Sequence, residues 1–177
     1  MHRIMIVDDE ENILKSLRRL LRGQKDWEIE DHSDPREALR SARVSNFDLF
    51  LSDYRMPELN GVEFLTEVKN LQPDAMRLIL SGHTDLEALL AAINQAEIYR
   101  FVTKPWEDYD ILMILQQALA YHDVLVENRY LANQVREQQV ELDKRKSTLD
   151  RLMAAHPGLF EVNWGADGSI ILDEDGI

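Results

Sequence analysis

A chain of 177 residues with 45% hydrophobic side chains is long enough for one domain, or one domain with an appendage, around a sizeable core. Its formal net charge of −13 argues against non-specific binding to nucleic acid or anionic lipid, since both need a basic surface, while leaving room for a basic partner. Cysteine is absent, which excludes disulfides and thiolate metal sites, and no apolar run approaches the roughly 20 residues of a membrane span, so a cytoplasmic protein outside the membrane is expected.

Arg3–Val7 reads as a buried strand, too short and too soon followed by acids to be a signal peptide. Glu11–Arg22 follows as a helix, with Ile13, Leu14, Leu17, Leu20 and Leu21 on one face and Gly23 as its terminator. Trp27–Asp31 reads as the second strand. Asp34 is placed to cap a second helix that has Pro35 at its first position and Ala38, Leu39 and Ala42 behind it. Phe47–Leu51 is the third strand, Pro57 and Asn60-Gly61 mark a loop, and Val62, Leu65, Val68 and Leu71 define a third helix. Met76–Leu80 is the fourth strand, Thr84–Ala96 a fourth helix, and Tyr99–Val102 a fifth strand broken by Lys104-Pro105. Alternating strands and helices imply a doubly wound α/β fold, with a parallel sheet, helices on both faces and right-handed crossovers.

In such a fold, sites form beyond the carboxyl ends of the strands. Those ends carry Asp8 and Asp9, Asp53, Ser81 and Lys104. If the first and third strands are neighbours, three carboxylates converge, and an unpaired cluster of that kind must be neutralised by protons or a cation. Oxygen-only ligands favour a hard ion, Mg²⁺ before Zn²⁺. Ser81 and Lys104 supply a hydroxyl and an ammonium for an anion on Asp53. A carboxylate beside a divalent ion and a lysine suits attack on a phosphoryl group, giving an aspartyl-phosphate.

The segments IMIVDDEENI, LFLSDYRMPELNGVEFL, LILSG and FVTKPW, in this order, make residues 3 to about 120 similar to the receiver domain of bacterial two-component response regulators. The resemblance implies a flavodoxin-like five-stranded parallel sheet in the order 2-1-3-4-5. It implies that Asp53 is the phosphoacceptor, served by a sensor histidine kinase in a phosphorelay. It implies that Asp8, Asp9, Asp53 and the backbone carbonyl of Arg55 hold Mg²⁺ or Mn²⁺. Ser81 and Lys104 then bind the phosphoryl group, and Ser81 with Phe101 forms the conformational switch. Pro57 and Gly61 shape the loop after the acceptor, and Gly82 keeps access open. The Arg55 side chain occupies a position that tunes phosphate lifetime in the family. The chain is then a phosphoacceptor rather than an enzyme, apart from weak self-dephosphorylation.

Single residues have plainer readings. Acids at strand ends are often solvated, most lysines face water, and Phe101 and Trp106 are ordinary packing residues by default. It is the joint pattern that favours a site. The histidines His2, His32, His83, His122 and His156 show no metal-ligand spacing and read as scattered. A haloacid-dehalogenase-like hydrolase is a rival, but Asp53-Tyr54-Arg55 lacks the second acid of its Asp-x-Asp motif. A structural adaptor with a vestigial site is another.

From Asp108 the helical pattern runs without proline or glycine to Pro157-Gly158. That predicts a helix of roughly 50 residues, about 70 Å long, and such a length calls for a partner. A heptad fits, with Tyr121, Asn128, Val135, Leu142 and Leu149 at a and Val124, Leu131, Gln138, Arg145 and Leu152 at d. An extended fifth helix forming a parallel homodimeric coiled coil is expected, with Asn128 setting register; Gln138 and Arg145 keep a single solvated helix as the alternative. The final stretch reads as an acidic hairpin, with strands at Phe160–Trp164 and Ser169–Leu172. The expected organisation is a receiver over 1–120, a coiled coil over 121–156 and a tail over 157–177. No helix-turn-helix or basic stripe points to nucleic acid, and the chain also fits the N-terminal part of a larger regulator that carries a separate effector.

Overall fold

The computed structural model describes residues 1–82 and 96–156. The expected helix at Thr84–Ala96, apart from Ala96 itself, and the expected terminal hairpin lie outside the described residues. The chain divides into two units, Met1–Asn128 and Arg129–Ile177.

The elements of the first unit are β1 (His2–Val7), α1 (Glu11–Leu21), β2 (Trp27–His32), α2 (Pro35–Ala42), β3 (Leu49–Asp53), α3 (Gly61–Leu71), β4 (Met76–Gly82) and β5 (Arg100–Lys104). The long helix, α4 (Asp108–Ala155), is continuous over 48 residues and runs from the first unit into the second. The strands form one parallel sheet in the order β2-β1-β3-β4-β5, as expected.

Period-two alternation divides the core between the two faces of the sheet. Met5, Val7, Phe50 and Ile79 face α2 and α3, packing with Ala38, Ala42, Phe64, Leu65 and Val68. Ile4, Ile6, Leu49, Leu51, Leu78, Leu80 and Val102 face the other way, against Leu14, Leu17 and Leu21 of α1 and Ile111, Leu115, Ala118 and Leu119 of α4. Trp106 packs against this second core, as the packing reading of that residue requires.

Local chemistry sets the element ends. The Asp34 carboxylate accepts the Arg36 N–H at 2.7 Å and caps α2. Asn60 caps α3 with a reciprocal box: its side chain accepts the Val62 and Glu63 N–H groups while Glu63 accepts the Asn60 N–H. Two strands are shifted from expectation. Phe47 precedes β3, its N–H taken by the Gln72 side chain at 2.8 Å, so the ladder begins at Leu49 and carries Asp53 inside the strand. β5 extends to Lys104 because Gly82 pairs with Lys104 across the ladder from β4.

Arg77, within the apolar run of β4, is buried and was not singled out in the sequence. Its guanidinium donates to the carbonyls of Ala96 (2.8 Å), Pro73 (3.1 Å) and Ala75 (2.7 Å), and lies 3.7 Å from Glu97. Burial lowers its proton affinity, and the opposing charges of Glu97 and Asp74 only partly offset this.

Along α4 the buried positions end at His122, and every residue from Asp123 to His156 is exposed. The heptad residues Val124, Asn128, Leu131, Val135, Leu142, Leu149 and Leu152 all belong to that exposed set. Tyr121, assigned an a position, stacks on Tyr99 with ring centroids 5.5 Å apart. Among the described residues no helix is long and apolar enough to cross a membrane.

Candidate functional site

Parallel register brings the acids together. Val7 pairs with Ser52, so the residues that follow them, Asp8 and Asp53, emerge side by side. Asp53 pairs with Leu80, and Ser81 with Thr103, which places Ser81 and Lys104 on the neighbouring strand ends.

Asp8 is fully buried beneath a cleft lined by Asp9, Glu10, Asp53, Arg55, Ser81 and Lys104, among others. Lys104 bridges the acids: its Nζ is 2.7 Å from Asp8 Oδ2, 2.5 Å from Asp53 Oδ1 and 3.7 Å from Glu10. Asp8 also accepts the Glu10 N–H at 2.9 Å, and Asp53 accepts the Arg55 N–H at 2.7 Å through its other oxygen. The Ser81 hydroxyl, buried beside them, donates to the Gly82 carbonyl at 3.1 Å. Phe101, on β5, is 37% exposed rather than packed in the core.

The electrostatics follow from this crowding. Burial pushes the Asp8 carboxyl above its ordinary value, and the nearby Asp53 charge adds to the effect; Lys104 and the Glu10 N–H pull the other way without cancelling it. Burial alone would lower the proton affinity of Lys104, but its contacts with Asp53 and Asp8 outweigh that, and the ammonium is held above its ordinary range. Lys104 bears one positive charge against Asp8, Asp9 and Asp53, leaving a deficit that a divalent cation matches. The side-chain donors are all carboxylate oxygens, so the arrangement fits a hard ion such as Mg²⁺.

The loop after Asp53 is held by sterics. A Cβ on Gly61 would lie 2.0 Å from the Asp53 carbonyl oxygen and 2.9 Å from its carbon, so only glycine fits against that backbone. The Gly61 N–H donates to the Tyr54 carbonyl at 2.9 Å and closes the loop. By contrast, a Cβ on Gly82 would meet nothing within 4 Å among the described residues. Glu10 is the N-cap residue of α1 by backbone position, makes no side-chain cap, and its carboxylate turns toward Lys104 instead.

One polar cluster escaped sequence reasoning. His2 and His122, read as scattered, come together with Asp48 and Asp123 at the opposite ends of the strands. No local spacing signals it, because the His122-Asp123 pair on α4 meets His2 and Asp48 from elsewhere in the chain.

Residues 4–116 match the response regulator receiver domain family. The chain is 35% identical over 116 residues to the hydrogenase transcriptional regulatory protein HoxA of Bradyrhizobium diazoefficiens, covering 66% of this chain and 24% of that protein. It is 31% identical over 118 residues to the transcriptional regulatory protein ZraR of Escherichia coli K12, covering 67% of this chain and 26% of that one. The chain thus spans about a quarter of the length of these curated relatives. Among solved structures, the signal receiver domain of an HD domain-containing protein from Pseudomonas fluorescens Pf-5 superposes with a TM-score of 0.68 at 32% identity, covering 71% of this chain and 92% of that one.

Proposed function

This chain belongs to the response regulator receiver domain family of two-component signalling, and from that premise we propose that Asp53 accepts a phosphoryl group from a cognate histidine kinase and thereby switches the protein. The observation that carries the reading is the convergence of Asp8, Asp53 and Lys104, with Lys104 Nζ within 2.7 Å of both acids.

In the transfer, an oxygen of the Asp53 carboxylate attacks phosphorus, the bond to the donor nitrogen breaks and an acyl phosphate forms. Lys104 is already in contact with one Asp53 oxygen and follows the negative charge onto the phosphoryl oxygens. The Arg55 N–H holds the other Asp53 oxygen and fixes the carboxylate plane. The Ser81 hydroxyl, now spent on the Gly82 carbonyl, is the donor that turns toward a phosphoryl oxygen. Asp8, Asp9, Asp53 and the Arg55 carbonyl would hold the divalent ion, Mg²⁺ or Mn²⁺, which supplies charge neutralisation on the transferring group. Reorientation of Ser81 frees space that Phe101 fills by turning inward from its half-exposed position, and this biases a two-state equilibrium. The output proposed within this chain is a homodimer contact through the exposed apolar stripe of α4, from Val124 to Leu152.

The test uses a small phosphodonor with Mg²⁺. The wild type takes up label and Asp53→Asn does not; label retained in the variant moves the acceptor elsewhere. Solution mass is then measured with and without beryllium fluoride and Mg²⁺. A protein that neither binds the mimic nor changes mass is an adaptor, not a switch. Because the match covers only 24% and 26% of the related transcriptional regulators, a second reading has the same switch controlling an effector in a longer polypeptide.

A further inference from the structure

His2 opens β1, Asp48 directly precedes β3, and His122 and Asp123 are adjacent on α4. Their side chains meet at the amino ends of the strands. His2 Nε2 lies 3.5 Å from Asp123 Oδ2, and His122 Nδ1 lies 3.6 Å from Asp123 Oδ1. The opposite ring nitrogens both face Asp48: His2 Nδ1 is 3.7 Å from Oδ2 and His122 Nε2 is 3.8 Å from Oδ1. The ligand atoms of His2, His122 and Asp123 all lie within 4.8 Å of one another.

His122 is 8% exposed, and its Nδ1, the nitrogen aimed at Asp123, is buried without a hydrogen-bond partner. A buried, unsatisfied imidazole nitrogen is costly and calls for a partner. The separations are a little too wide for direct hydrogen bonds and fit a small cation instead. Ligands at about 2.0–2.1 Å from a tetrahedral metal stand about 3.4 Å apart, close to the 3.5 and 3.6 Å between each imidazole and an Asp123 oxygen.

We infer that His2 Nε2, His122 Nδ1 and the Asp123 carboxylate form a site for a divalent transition-metal ion of the Zn²⁺ type, with Asp48 facing the far nitrogen of each imidazole at 3.7 and 3.8 Å. Two imidazoles and one carboxylate are a borderline nitrogen–oxygen donor set, which suits Zn²⁺ and not Mg²⁺. On closing by a few tenths of an ångström, Asp48 would accept from those far nitrogens and take the carboxylate–histidine–metal role that fixes tautomer and ring orientation. It is itself held, accepting the Arg3 N–H at 2.7 Å. His2 and Asp123 are partly exposed, at 24% and 58%, so an ion has a route in, and solvent can supply a fourth ligand. His122 is the last buried residue of α4, so a bound ion would clamp that turn of the helix to the start of β1. This site is separate from the acidic cleft, which lies beyond the other end of the same strand, about 20 Å away along a six-residue β1.

The experiment is a Zn²⁺ titration of the full chain against a chromophoric chelator, with Mg²⁺ in large excess to hold the acidic cleft. One ion should bind per chain, and Co²⁺ in its place should give the visible absorption of a low-coordinate nitrogen–oxygen site. His2→Gln and His122→Gln should each weaken binding at least about 100-fold, and Asp48→Asn by about 10- to 100-fold, while Asp8→Asn leaves it unchanged. His2 is half-buried at the amino end of β1, so His2→Gln tests the site even if His122→Gln disturbs the fold by circular dichroism. No Zn²⁺ binding above the Mg²⁺ background overturns the inference. So does binding that survives His2→Gln, or binding that is lost in Asp8→Asn.

Discussion

At the carboxyl ends of the strands, Lys104 stands 2.7 Å from Asp8 and 2.5 Å from Asp53; at the amino ends, the imidazoles of His2 and His122 stand 3.5 to 3.8 Å from Asp48 and Asp123. The first cluster carries its own cation and keeps Asp8 fully buried in contact with it. The second leaves a buried imidazole nitrogen without a hydrogen-bond partner among the described residues. Both are gaps in charge or hydrogen bonding at the rim of one sheet, and they differ in donor chemistry. Carboxylates alone select a hard ion, whereas imidazole with carboxylate selects a borderline one. If both proposals hold, the two rims of one sheet differ in ion preference because their donor sets differ.

Substitutions around both ends sharpen this contrast. The largest loss is expected for Gly61→Val, whose Cβ would fall 2.0 Å from the Asp53 carbonyl oxygen. We expect about 4 kcal/mol of destabilisation in urea melts, with loss of phosphodonor labelling, because relief of the clash must move the acceptor strand. A stability near wild type would show that the loop, and not the strand, yields.

At the amino end of β4, Arg77→Met strips three carbonyls of their donor and should cost about 3 kcal/mol while leaving divalent-ion binding in the cleft intact. Lys104→Gln is expected to cost about 2 kcal/mol in divalent-free buffer, since Asp8 and Asp53 then face one another without a cation. Adding Mg²⁺ should recover much of that loss. A loss insensitive to Mg²⁺ would break the view that the carboxyl end is a cation deficit. Asn60→Ala removes the acceptor of the capping box and should cost about 1 kcal/mol.

The smallest effect lies on β2, between the two ends. Burial works to raise the Glu30 carboxyl, but hydrogen bonds from Ser41 and His32 outweigh it and the net direction is downward from 4.5. A depressed carboxylate supplies stability that is present above 4.5 and lost as the pH falls through its lowered folded value. Glu30→Gln should therefore cost less than about 1 kcal/mol at neutral pH, and the gap from wild type should close in acid melts. A gap that stays constant with pH would assign the effect to packing.

The α/β alternation and the placement of acids at strand ends were legible because each depends on short-range signals, whereas the sheet order came from the family resemblance and was matched by the structure. Apolar runs of strand length alternate with helical periodicity, and Asp8, Asp53, Ser81 and Lys104 each sit directly after or at the end of such a run. Parallel order then brings strand ends to one rim. The length of α4 was equally readable, because no proline or glycine interrupts residues 108 to 156. Element ends were less so: the Gln72 side chain captures the Phe47 N–H and moves the start of β3, a contact between residues far apart in the chain.

What the sequence by itself determined is therefore whatever period, punctuation and adjacency encode: the α/β alternation, the long helix and the acids at strand ends. Only the tertiary structure decided which distant groups share a site. It buried Arg77 among carbonyls, seated Gly61 against the Asp53 backbone, stacked Tyr121 on Tyr99, and brought His2 to His122. The physical reason is that local pattern specifies the direction in which a side chain leaves its element, while a contact between two elements is set by how helices and strands pack, which no single segment carries.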